Sequence, residues 1–134
     1  MGTWGTGPFE NDDAADLCAE LADADPAQQA EMLRAVLRRA ADNTGYLEID
    51  DAQAAIAAAA VVAAWSAGHA VVGAPELADL GAVAVPADLA PSARQALDRV
   101  SGPNSEWRSL WGEGTDLNDV LTELATIRSA LPNA

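Results

Sequence analysis

The sequence predicts an all-α fold: five to six helices around a central alanine-rich helix, preceded by an extended N-terminal segment of glycines and aromatic residues. Three observations lead there. Apolar residues recur at helical spacing through most of the chain, capping residues stand ahead of those runs, and the uncharged stretch from Ala52 to Ala74 is mostly alanine. At 134 residues the chain has the size of one domain, and neither an internal repeat nor a low-complexity linker divides it, so a single domain over 1–134 is expected.

The elements follow in order. Met1 to Phe9 lacks helical periodicity and is expected to lie over the body, anchored by Trp4 and Phe9. Gly5-Thr6-Gly7 is not read as a phosphate loop: no strand precedes it, no lysine follows at the required spacing, and Asp12 and Asp13 would repel a phosphate. Asn11 is the expected N-cap of the first helix, with Asp12 and Asp13 well placed against the helix dipole. Ala14, Leu17, Cys18 and Leu21 then form its apolar face. Asp25 caps a second helix with Pro26 at its first position, and Met32, Leu33, Val36 and Leu37 make the buried stripe. Arg34, Arg38 and Arg39 load that helix's C-terminal half, and Asn43-Thr44-Gly45 ends it.

Asp50 or Asp51 is expected to start the alanine-rich third helix, which runs to about Ala67. The stretch from Ala52 to Ala74 is long enough to cross a bilayer, but alanine favours insertion little while Gln53 and His69 oppose it, so it is read as a buried helix of a soluble protein. From His69 to Pro91 the prolines and glycines predict an irregular connector, with a strand or loop at His69 to Gly73 and one turn at Glu76 to Leu80. A fourth helix is predicted from Pro91, marked by Ala93, Ala96, Leu97 and Val100. A short helix capped by Asn104 or Ser105 carries Trp107, Leu110 and Trp111. A last helix, capped by Thr115 or Asp116, holds its period through Leu117, Val120, Leu121, Leu124, Ile127 and Leu131. The tryptophans are expected in the core, with Trp107 and Trp111 packing on the third helix, which also carries Trp65.

Charge narrows the function classes. Twenty-one acidic residues face seven basic ones, all arginine, for a net charge of −14. The first 25 residues hold seven carboxylates and no cation. Such a surface repels phosphates and anionic lipid, so neither nucleic acid nor membrane is an expected partner, whereas a basic protein would be attracted. Solubility alone, or a GC-rich or salt-adapted genome, accounts for the same composition. The N-terminus lacks the basic and apolar regions of a signal peptide, which favours the cytoplasm.

Catalytic chemistry finds little support. One cysteine excludes an intramolecular disulfide, and Cys18 on an apolar helix face reads as an inert buried thiol. The single histidine, His69, follows a helix-ending glycine and is read as a C-terminal cap. No cofactor fingerprint is present and none is expected. Helix one offers the densest set of oxygens, and Glu10, Asp12, Asp13 and Asp16 are the candidate ligands of a divalent ion. Against this, a straight carboxylate stripe is more often a solvated face than a site that wraps an ion.

Residues 1 to 16, Met-Gly-Thr-Trp-Gly-Thr-Gly-Pro-Phe-Glu-Asn-Asp-Asp-Ala-Ala-Asp, resemble the signature of a bacterial family known as domain of unknown function 4259. Gly45-Tyr46-Leu47-Glu48, the alanine run from Ala54 to Ala64, and Asn104-Ser105-Glu106 followed by Leu110-Trp111 agree with it, so the resemblance spans nearly the whole chain. Two positions depart from the family pattern: Ala60, where a glutamate is common, and Trp107, where a leucine is. The resemblance implies a small cytoplasmic bacterial protein without an assigned activity. It also implies that Trp4, Phe9, Glu10, Asp12, Asp13, Asp16, Tyr46, Glu106 and Trp111 lie together in a structural role. The N-terminal rings would dock beside the third helix while Glu106 or Asp16 accepts hydrogen bonds from the glycine-rich backbone.

The expectation is therefore a non-enzymatic, acidic protein-binding module, of the inhibitor or immunity type, that engages a basic partner such as a nuclease toxin through Asp12, Asp13, Asp16, Glu20 and Asp23. The alternatives are a carboxylate-rich protein binding a divalent metal or small ligand through Glu10, Asp12, Asp13 and Asp16, and a structural homo-oligomer.

Overall fold

The computed structural model describes residues 5–132. Among these residues the chain forms seven helices, α1 (Asp12–Ala22), α2 (Pro26–Ala41), α3 (Ile49–Ser66), α4 (Pro75–Ala78), α5 (Leu89–Ser101), α6 (Glu106–Gly112) and α7 (Leu117–Ala130). The count exceeds the expected five to six because the turn foreseen near Glu76 is a four-residue helix, α4. No strand forms among the described residues, so His69 to Gly73 is loop, and an isolated parallel bridge pairs Leu47 with Ser105.

Local signals place the first two helices as read. Asn11 accepts the Ala14 N–H at 2.8 Å, and the apolar face of α1 is buried through Ala14, Leu17, Cys18 and Leu21. Asp25 accepts the Gln28 N–H at 2.9 Å while its own N–H donates to Gln28 Oε1 at 3.2 Å. This reciprocal capping box opens α2 behind Pro26. Leu33 and Leu37 are fully buried, with Met32 and Val36 packed beside them.

Helix α3 has little solvent-facing surface. Its buried residues include Ala52, Ala55, Ala57, Ala58, Ala59, Val61 and Val62, and it packs against α1, α2, α5, α6 and α7. Short alanine side chains let several helix axes approach it closely. It begins one residue ahead of the expected aspartates, at Ile49, with Glu48 in the cap position and no side-chain cap from Glu48. Its C-terminus closes on Gly68, whose φ of +80° is the left-handed conformation that favours glycine. The Gly68 N–H donates to the Trp65 carbonyl at 3.1 Å and the His69 N–H to the Ala64 carbonyl at 2.9 Å. His69 thus caps through its backbone, with its side chain exposed.

Helix α5 starts at Leu89, two residues before the predicted Pro91. Proline is tolerated in a first turn, where its missing N–H would have had no helical acceptor, and burial of Leu89 and Ala90 extends the helix backwards. Ser105 caps α6, accepting the Arg108 N–H at 3.4 Å, and α7 buries Val120, Leu124 and Ile127. All seven helices share one hydrophobic core. Among the described residues no helix is long and apolar enough to cross a membrane.

Candidate functional site

Asp12, Asp16 and Glu20 recur every four residues of α1 and Asp23 follows three later, so the helical repeat stacks them along one side of the helix. All four are exposed. Asp13, the remaining member of the predicted binding set, is turned inward and half-buried. Burial raises its pKa above the ordinary 3.8, and Asp50, Asp16, Asp12 and Asp51 add to the shift by repulsion. The first-turn carboxylates of α1 and α3 therefore lie near enough for their charges to repel.

The arginines are committed elsewhere. Arg34 donates to Asp88 through Nε at 2.9 Å and Nη2 at 3.0 Å and also pairs with Glu31, and its hydrogen bonds hold the Asp88 carboxyl below the usual range. Arg38 meets Asp42 at 3.6 Å and Arg39 meets Asp51 at 3.7 Å. Arg128 pairs with Asp98, while Arg94 and Arg108 donate to the carbonyls of Leu131 and Ser101. Arg99 reaches the carbonyls of Asn43, Gly45, Pro103 and Asn104 together with Asn43 Oδ1. Each of the seven cations thus has an internal partner. Among the described residues, Asp12, Asp16, Glu20 and Asp23 have no ion pair.

Beside the last turn of α1 lies an open groove of about 740 Å³, running over the turn into α2. Ala24, Ala27 and Met32 supply its mostly apolar surface, with Glu20, Asp23, Gln28 and Glu31 around them. Glu20 and Asp23 belong to the acidic set expected from the sequence, whereas the groove beside them has no signal in residue spacing. Met32, expected in the buried stripe of α2, is half-exposed at the edge of that stripe.

The alternative ligand set does not assemble. Glu10 is turned onto the glycines, accepting the Gly7 N–H at 3.0 Å, and a Cβ added at Gly7 would stand 2.5 Å from Glu10 Oε1. Among the described residues no group of three or more His, Cys, Asp or Glu side chains is placed to hold a metal ion. Carboxylates spaced along a straight helix project outward rather than wrapping a common point. Cys18 is buried, and burial pushes its thiol up to about 12, with Glu76 contributing.

The family model described as Domain of unknown function (DUF4259) matches residues 2–123. The chain belongs to this family. No curated protein and no solved structure matches it. In this DUF4259 chain two stretches that carried the resemblance meet in space. The Leu47 N–H donates to the Asn104 carbonyl and the Glu106 N–H to the Leu47 carbonyl, each at 2.9 Å. Glu106 serves α3, accepting the Ile49 N–H at 2.8 Å, and among the described residues the Gly7 N–H donates to Glu10. Tyr46 stays exposed. Phe9 packs on the core beside Gly73 and Cys18, nearer α1 and α4 than α3. Trp107 is buried and Trp111 half-buried, flanking Gln53 and Ile56 of α3, whereas Trp65 lies at that helix's other end beside Val85 and Ala90. Trp4 falls outside the described residues. Ala60, where the family pattern often has glutamate, is half-buried against the core.

Proposed function

We propose that this protein is a cytoplasmic, non-enzymatic module that binds a cationic protein through the exposed face of α1, in the manner of an inhibitor or immunity protein that covers the phosphate-binding groove of a nuclease toxin. One observation carries the reading: the α1 carboxylates Asp12, Asp16, Glu20 and Asp23 have no ion pair among the described residues, while each arginine is committed internally. The first basic residue of the chain is Arg34, so residues 1–33 carry eight carboxylates against no cation. Exposed charge without an internal partner steers association with an oppositely charged patch, and a nuclease must present such a patch to hold phosphates.

The test is capture from the native host with the wild-type protein and with Asp12→Asn/Asp16→Asn/Glu20→Gln/Asp23→Asn as baits, at low and moderate salt. The expected result is one basic protein retained by the wild type, weakened by salt and lost with the quadruple variant. Equal retention by both baits would overturn the reading.

A further inference from the structure

We infer that the groove between the end of α1 and the start of α2 is the specificity-determining part of this face, and that its occupant is a partner segment in which aliphatic residues are interspersed with arginine or lysine. This rests on the cationic-partner reading and extends it, because charge alone would not require an apolar floor.

The groove is mostly apolar over Ala24, Ala27 and Met32, and at about 740 Å³ it has room for several side chains of a short segment. Its rim is acidic through Glu20, Asp23 and Glu31. Glu31 is shared with Arg34, but Glu20 and Asp23 have no ion pair among the described residues. An aliphatic side chain on the floor flanked by cations at the rim satisfies both surfaces. Arginine and lysine suit the rim particularly well, since their methylene stems cover apolar surface while the charged ends reach the carboxylates. A second copy of this chain fits poorly, for it would bring another net charge of −14 against the same rim.

The walls are already set for such a segment. Gln29 donates Nε2–H to the Leu21 carbonyl at 2.9 Å, the Ala24 N–H donates to the same carbonyl at 3.1 Å, and the Asp25–Gln28 capping box holds the turn. Binding therefore has little backbone to order, and a preformed groove loses less affinity to that cost. Met32, unbranched and half-exposed, can adjust its rotamer to the side chain it meets.

Two fluorescein-labelled dodecapeptides of equal charge test this by fluorescence anisotropy: three repeats of Leu-Arg-Arg-Leu, and three repeats of Ser-Arg-Arg-Ser. The wild-type protein is expected to bind the leucine peptide at least tenfold more tightly. Met32→Gln should cut that preference to within about threefold, and Ala27→Gln, at an exposed first-turn position, should do the same without touching the core. Glu20→Gln/Asp23→Asn should weaken both peptides. Equal binding of the two peptides by the wild type would overturn the groove assignment while leaving the cationic-partner reading intact. Binding of neither peptide at low salt would overturn both. A leucine preference that survives both floor substitutions would place the apolar contact elsewhere and overturn the proposal. A dimer in light scattering that Met32→Gln dissociates would assign the groove to a second copy, with the same consequence.

Discussion

Glu106, the first residue of α6, accepts the backbone N–H of Ile49, the first residue of α3, at 2.8 Å across 57 positions of the chain. The longest helix among the described residues thus begins at a cap supplied from another helix. Glu48, in the local cap position, makes no side-chain cap, and the paired backbones of Leu47 and Ser105 hold Glu106 in place. Glu106→Ala is expected to lower stability in urea unfolding by about 1 kcal/mol, the usual worth of a helix N-cap. Glu106→Gln keeps an acceptor and should cost less. An alanine variant as stable as the wild type would show that the cap contributes nothing.

Arg99 ties together the same two connections, reaching the carbonyls of Asn43 and Gly45 after α2 and those of Pro103 and Asn104 before α6. Its planar fork serves acceptors that a single ammonium cannot reach at once. Arg99→Lys is therefore expected to destabilise by about 2 kcal/mol, within the range for hydrogen bonds to a charged group. Chemical denaturation checks it, and a midpoint unchanged by the lysine would mean that water replaces the fork without loss.

Asp13 is a carboxyl whose folded-state pKa lies above its ordinary 3.8, through burial first and then the repulsion of Asp50, Asp16, Asp12 and Asp51. Between those two values the native state binds more protons than the unfolded chain, so this residue's contribution to stability falls as pH rises through the window. At neutral pH its charge opposes folding. Asp13→Asn should raise the melting temperature at pH 7, and the gain should shrink as pH falls toward 3.8. A gain that stays constant down to acid pH would rule out ionisation as its origin.

Cys18 lies on the buried face of α1, and burial pushes its thiol up to about 12. Since the thiolate is the reactive form, a thiol-specific chromogenic disulfide at pH 8 should leave the native protein unlabelled and titrate one thiol after denaturant is added. Prompt native labelling would contradict the packing of α1 on α3 and α4.

The sequence by itself determined what depends on neighbours within one or two turns. Asn11 and Asp25 cap their helices because each side chain reaches an N–H three residues on, and such bonds are readable from spacing alone. The same holds for the buried sets Ala14–Leu17–Cys18–Leu21 and Val120–Leu124–Ile127, whose positions follow the 3.6-residue repeat. Only the tertiary structure decided how separated segments meet. Glu106 could be quoted as part of a motif, yet its acceptor role depends on two connections 57 positions apart lying side by side. Glu20 and Asp23 were visible as acidic residues, and Glu31 and Met32 as the next helix's own, but the groove they share forms only where the turn after α1 brings the two helices side by side. Local hydrogen bonds and helical periodicity are written in short spacings. The meeting of distant backbones, and the apolar surface left uncovered between two helices, depend on how the whole core closes.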